Sequence, residues 1–142
     1  MSVVLMRGLP GSGKSSWIQA QPGLKFICSA DNYRMRHGTY VYKKEEDQAA
    51  HGECLKSYAQ FLQVGCPDTL YVDNTNTTII ELAPYVKLAE AYNVPYKIVY
   101  LYCDLVFAYK RNIHSVPMAT MIQMQQNLMM ERLPSFWKQV IA

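Results

Sequence analysis

Val3-Val4-Leu5-Met6-Arg7-Gly8-Leu9-Pro10-Gly11-Ser12-Gly13-Lys14-Ser15 stands near the start of the chain and decides its fold. The four apolar residues read as a buried strand, and residues 8–15 fill every fixed position of the pattern G-x-x-x-x-G-K-[ST]. Ser16-Trp17-Ile18-Gln19-Ala20 then open a helix. Strand, glycine loop and helix in this order let backbone N–H groups turn inward while the helix dipole faces an anion. Gly8, Pro10, Gly11, Ser12, Gly13 and Ser16 are thereby expected around the phosphates of ATP or another nucleoside triphosphate. Lys14 would reach the β- and γ-phosphates, and the Ser15 hydroxyl would ligate Mg²⁺. A Gly/Ser turn that matched by coincidence would lack the flanking strand and helix.

The surrounding composition is that of an ordinary globular chain. Of 142 residues, 50% are hydrophobic and 18% charged, which suits one domain built on one sheet, spanning 1–142. No apolar run approaches the roughly 20 residues of a membrane span. The first residues run straight into a strand instead of a leader. The expectation is a cytoplasmic protein with no membrane partner. Cys28, Cys54, Cys66 and Cys103 form no C-x-x-C pair, so free thiols are expected and zinc is not. A net charge of +3 permits a polyanionic partner without requiring one.

Periodicity predicts strand 2–7, loop 8–13, helix 14–21 and strand 25–29, then an irregular stretch over 30–42. Helix 43–64 follows, with Leu55, Tyr58, Ala59 and Leu62 at helical spacing. Strand 69–73 precedes a helix over 79–92 that begins near Pro84 or is kinked there. Strand 96–102, a helix over 104–112, a break at Ser115-Val116-Pro117, a helix over 118–132 and a tail carrying Trp137 complete the chain. Met121, Met124 and Leu128 mark the core face of the last helix. Alternating strands and helices imply a three-layer α/β fold with a central, mostly parallel sheet and a helical lid.

Ligands in such sheets sit beyond the carboxyl ends of the strands, so the residues just after each strand carry the chemistry. After the second strand comes Ser29-Ala30-Asp31-Asn32-Tyr33-Arg34. Asp31 there can accept the proton of an attacking hydroxyl beside a γ-phosphate, or can simply cap a short helix. After the third strand, Asp73 is placed to hold Mg²⁺, while Asn74, Thr75 and Asn76 offer neutral contacts to a substrate. Thr77 would cap the following helix. Beyond the fourth strand, Tyr109-Lys110-Arg111-Asn112-Ile113-His114 provides a basic cluster. It either clamps transferring phosphate with Arg111 or ends a helix favourably through its dipole. Of the tyrosines, Tyr33, Tyr40 and Tyr42 lie in the stretch near the site.

Taken in order, these four segments resemble the polynucleotide 5′-kinase branch of the phosphate-loop kinases. Met6-Arg7-Gly8-Leu9-Pro10-Gly11-Ser12-Gly13-Lys14-Ser15 and Ser29-Ala30-Asp31 are also similar to the phosphate-loop domain of animal 2′,3′-cyclic-nucleotide phosphodiesterase. The resemblance implies Lys14 and Ser15 as nucleotide and Mg²⁺ ligands and Asp31 as general base. It also implies Arg34 beside the acceptor and Arg111 as a lid arginine on the donor phosphates. Two positions depart from the family pattern: Asn74 stands where an Asp is usual, and His114 occupies a shortened lid. No D-x-D-x-T phosphatase or K-x-D-G ligase pattern is present, and only His37-Gly38-Thr39 fits the H-x-[ST] of a cyclic phosphodiesterase.

The resemblance thus implies a kinase with Asp31, Lys14, Arg34 and Arg111 as its catalytic set. It would pass the γ-phosphoryl of ATP to the 5′-hydroxyl of a nucleic-acid end, with Arg34, Asn74 and Thr75 on the acceptor. The alternatives are a kinase of the same fold for a small hydroxyl compound, and a nucleotide-binding module with weak catalysis. The joint presence of Lys14, Asp31 and Arg111 speaks against the last.

Overall fold

The computed structural model describes residues 1–36, 39–40, 42–66 and 68–142, with Arg36 and Tyr40 described by their backbone alone. Among these residues, β1 (Ser2–Arg7), β2 (Lys25–Cys28), β5 (Thr69–Val72), β6 (Tyr96–Tyr100) and β7 (Gln139–Ile141) form one sheet. The order is β2-β5-β1-β6-β7 and every pairing is parallel. β1, carrying the glycine loop, is central. Its Val3, Val4, Leu5 and Met6 are all buried, as expected for a strand covered on both faces.

The two faces divide by the period of two. Val3 and Leu5 join Leu70, Val72 and Ile98 beneath α3 (Asp47–Val64) and α4 (Ile79–Ala91). Val4 and Met6 pack with Tyr71 and Val99 against Ile18 of α1 (Lys14–Gln19). A third cluster, Leu9, Ala108, Val116, Met121 and Leu128, sits under α5 (Leu105–Lys110) and α6 (Met118–Met130). α3 buries Ala50, Cys54, Tyr58 and Leu62, one per turn, and Tyr58 donates to the Tyr85 carbonyl (2.8 Å). Full burial of a leucine side chain such as Leu62 stabilises by about 1.5–3 kcal/mol. Cys28, Cys54 and Cys66 are buried free thiols, and burial pushes Cys28 up to about 12, away from thiolate chemistry.

Several boundaries differ from the sequence expectation. The stretch after β2 is not irregular: it holds α2 (Ala30–Arg34) and an antiparallel pair, β3 (Met35–Arg36) with β4 (Thr39–Tyr40). His37, Gly38 and Val41 lie outside the described residues. Residues 44–46 form a 3₁₀ turn before α3. α4 starts at Ile79, ahead of Pro84, because Thr78, not Thr77, caps it by accepting from the Glu81 N–H (3.2 Å). The expected tail contains a strand, β7, whose side chains are all exposed. Backbone pairing alone defines it, with Ile98↔Gln139 through Tyr100↔Ile141 in register. Among the described residues no helix is long and apolar enough to cross a membrane.

Candidate active site

The carboxyl ends of β1, β2 and β5 open into a cleft of about 1200 Å³. Pro10, Gly11, Gly13, Lys14, Ser15 and Ser16 form one wall, Asp73, Asn74 and Thr75 the floor. Asp31, Arg34 and α3 form the second wall, and Arg111, His114 and α6 the third. Of the candidate residues, Gly8, Ser12, Asn76 and Tyr33 do not line this cleft; Asn76 is buried and tied to Arg7 and Met6 instead of offering a substrate contact. Gly8 is buried behind the loop, its N–H donating to the Thr75 carbonyl (2.9 Å).

The loop has the conformation an anion requires. Gly11 (φ 82°) and Gly13 (φ 98°) adopt the left-handed backbone, and a Cβ on Gly13 would meet open space. Lys14 is buried, and its ammonium donates to the Gly8 (3.1 Å) and Leu9 (2.8 Å) carbonyls, inside the ring that phosphates would fill. Burial pushes its pKa from 10.5 down to about 8, against the opposing pull of Asp73 and Asp31. The Ser12 hydroxyl is buried with no partner among the described residues. A glycine loop in the left-handed conformation around a buried ammonium, at the start of a helix, fits a phosphate chain. Beside it the Ser15 hydroxyl donates to an Asp73 carboxylate oxygen (2.7 Å), the oxygen pair a hard divalent cation takes.

Asp31 reaches the same cleft by a different route. The helix cap is Ser29, whose hydroxyl accepts from the Asp31 N–H (3.1 Å), so the Asp31 carboxylate is not consumed in capping. One carboxylate oxygen accepts from Arg34 (3.1 Å) and the other faces His114 of the lid segment (3.6 Å). Arg34 also pairs with Asp47, and its guanidinium lies over the Tyr42 ring (5.1 Å). His51 stands 3.7 Å from Asp47. Sequence reading did not single out Asp47, Gln48 and His51. For Asp47 and His51 the signal is helical spacing, each standing three residues before a buried residue of α3, Ala50 and Cys54 respectively.

Asn74 is buried, and its side chain is occupied: the carbonyl oxygen accepts from the Ala30 N–H (2.9 Å) and the amide donates to Cys54 sulfur (3.4 Å). It lines the cleft, yet its polar atoms hold the start of α2 and hence Asp31. Arg111 caps the end of α5, exposed, with its guanidinium over Phe107 (5.3 Å). α5 also touches the loop directly, since a Cβ on Gly11 would fall 2.2 Å from the Ala108 carbonyl oxygen. Arg7, another residue not singled out, is buried at the end of β1. It donates to the carbonyls of Asn76 (3.1 Å) and Thr77 (3.0 Å), while the Asn76 amide donates to the Met6 carbonyl (2.8 Å).

Residues 3–115 match a protein family described as an AAA domain. The chain belongs to that family. Among curated proteins it is 32% identical over 123 residues to human NEDD4-binding protein 2, covering 80% of this chain and 7% of that protein. Among solved structures, a chain of the Pnkp1/Rnl/Hen1 RNA repair complex superposes with a TM-score of 0.69 at 17% identity, covering 90% of this chain and 44% of that one. A gluconokinase from Sinorhizobium meliloti superposes at 0.58 and 16% identity, covering 99% and 81%. Likeness at such identities is likeness of fold. This AAA-domain chain has the kinase-like phosphate-loop fold.

Proposed function

We propose that this chain is a kinase that transfers the γ-phosphoryl group of ATP to a hydroxyl, and that the hydroxyl is the 5′ end of DNA or RNA. The observation that carries the reading is the convergence of Asp31 and the phosphate loop on one cleft, with Arg34, Lys44 and Tyr42 along the wall beyond Asp31. The phosphate loop would hold the donor, with Lys14 on its terminal phosphates. Ser15 and Asp73 would hold Mg²⁺, which supplies positive charge against the phosphate oxygens. The hydroxyl oxygen forms its bond to phosphorus as the bond to the ADP oxygen breaks, and Asp31 takes the hydroxyl proton. Arg34 and His114 orient that carboxylate from two sides. Arg111, on the lid side, is placed to face the charge of the transferring group. Residues 1–142 would act as one catalytic domain.

The resemblance to polynucleotide 5′-kinases supports the nucleic-acid acceptor, and the aromatic and cationic wall suits a base and a backbone phosphate. One observation favours a smaller acceptor, such as a sugar. Arg34 is already paired with both Asp31 and Asp47, which reduces what it offers to a phosphate. Incubation with γ-labelled ATP and a panel of 5′-hydroxyl DNA and RNA oligonucleotides, nucleosides and sugar acids separates the two. The proposal expects oligonucleotides to be the better acceptors, with a KM that rises with salt as phosphate contacts are screened. Equal use of nucleoside and oligonucleotide without salt dependence overturns the nucleic-acid assignment. Transfer to none of the panel overturns the kinase reading.

A further inference from the structure

A second cavity, of about 400 Å³, lies on the other side of α6 from the cleft, lined by Arg7, Tyr100, Leu128, Glu131, Arg132 and Trp137 among others. Adjacent residues of α6 face the two spaces: Asn127 the cleft and Leu128 the cavity. The nucleotide reading leaves this cavity without a role, and two of its lining residues carry unmet electrostatic demand.

Arg7 is 2% exposed, and among the described residues no carboxylate lies within 4 Å of it. Its hydrogen bonds go to the Asn76 and Thr77 carbonyls, which supply partial charge only. A guanidinium taken out of water with no carboxylate in direct contact is costly, and burial lowers its pKa against the partial opposing pull of Tyr100, Glu131 and Glu81. The Tyr100 ring face, 5.3 Å from the guanidinium, offsets part of that cost. Trp137 is 7% exposed, and its indole N–H is buried with no acceptor among the described residues. A buried donor without an acceptor keeps the full cost of its desolvation. Glu131, which also lines the cavity, and Glu81 act on Arg7 from a distance and offset part of the cost of burying it, but among the described residues neither forms an ion pair with it.

We infer that this cavity is a binding site for a small organic anion, whose carboxylate or phosphoryl oxygens meet the Arg7 guanidinium and the Trp137 indole N–H. Its volume falls at the lower end of ligand sites, roughly 300–1000 Å³, which suits a metabolite-sized anion. Arg7 is contiguous with Gly8, so an occupant would sit directly behind the phosphate loop. The inference does not depend on which acceptor the cleft takes.

The chain has two tryptophans, Trp17 and Trp137, so its indole N–H spectrum holds two resonances, assignable with Trp17→Phe. Inorganic phosphate and malonate are titrated separately into ¹⁵N-labelled protein saturated with ADP, which keeps the phosphate loop filled, with sodium chloride as the ionic-strength control. The expected result is a saturable shift of the Trp137 resonance with phosphate, malonate or both. The tighter probe identifies the group as phosphoryl or carboxylate. Arg7→Met should weaken that affinity about tenfold or more, the loss expected for a hydrogen bond to a charged group. Should Arg7→Met not fold, Trp137→Phe followed by calorimetry with the same probe should weaken binding several-fold. No saturable shift, a shift reproduced by chloride, or an affinity unchanged in whichever variant folds overturns the site.

Discussion

Lys14 makes the stability of the unliganded protein depend on pH in a direction opposite to that of a salt-bridged lysine. Its ammonium is buried among the Gly8 and Leu9 carbonyls, and burial brings its pKa from 10.5 to about 8. The unfolded chain keeps this proton until pH nears 10.5, whereas the folded chain releases it around 8. Between those values the unfolded state binds more protons, so stability rises with pH. An interval of about 2.5 pH units at roughly 1.36 kcal/mol each bounds the gain at about 3 kcal/mol. Urea unfolding of the unliganded wild type and of Lys14→Met, from pH 7 to 10.5, isolates this contribution, because the tyrosines and cysteines titrate in both. The wild type should gain on the variant across the interval. ADP reverses the demand, since its phosphates favour the ammonium, and calorimetry should show ADP affinity falling above pH 8. A stability difference that is flat or falls with pH would refute the burial argument.

Three further outcomes are expected. Asp31→Asn should slow transfer by roughly 10²–10⁴-fold, the span for a general base, with ATP affinity retained; a collapse of ATP binding instead would make Asp31 a donor-side group. Gly11→Ala should cost about 1–2 kcal/mol from the left-handed backbone alone, and the 2.2 Å approach to the Ala108 carbonyl adds to it. Thermal melts with and without ADP check this, and an unchanged melting temperature with full ADP stabilisation contradicts it. Asn74→Ala orphans the Ala30 N–H and should destabilise by about 1–3 kcal/mol. Its turnover should fall while ATP affinity holds, and chemical denaturation beside steady-state kinetics reads both.

Four strands of the central sheet and the strand–loop–helix unit around Lys14 were legible in the sequence because their signals are local. Val3 to Ser15 encodes strand, loop and helix within thirteen residues, and the apolar runs over 69–72 and 96–100 name their own strands. The opposite wall of the cleft was legible only in part. Asp31 could be placed beside the loop, but its alternative as a helix cap is settled by Ser29, one of two plausible caps two residues apart. The role of Asn74 depends on Ala30 and Cys54, which lie 44 and 20 residues away. β7 exists through pairing with β6, and exposed Gln139-Val140-Ile141 carries no alternation to announce it. Arg7 reads as a surface residue by type, and only the fold buries it.

The loops after β1 and β5 are sewn together through Gly8 to Thr75, Arg7 to Asn76 and Thr77, and Asn76 back to Met6. The two loops are thus held to one another, and Ser15 and Asp73, 2.7 Å apart, stand on the elements that follow and precede these ties. The wall formed by α2 and the first turn of α3 hangs from this block chiefly by side chains, Asn74 to Ala30 among them. Substitutions there can reshape that wall while the phosphate-loop platform keeps its dimensions. On the proposed function, an architecture divided in this way would let one platform be refitted for new hydroxyl acceptors, a few residues at a time.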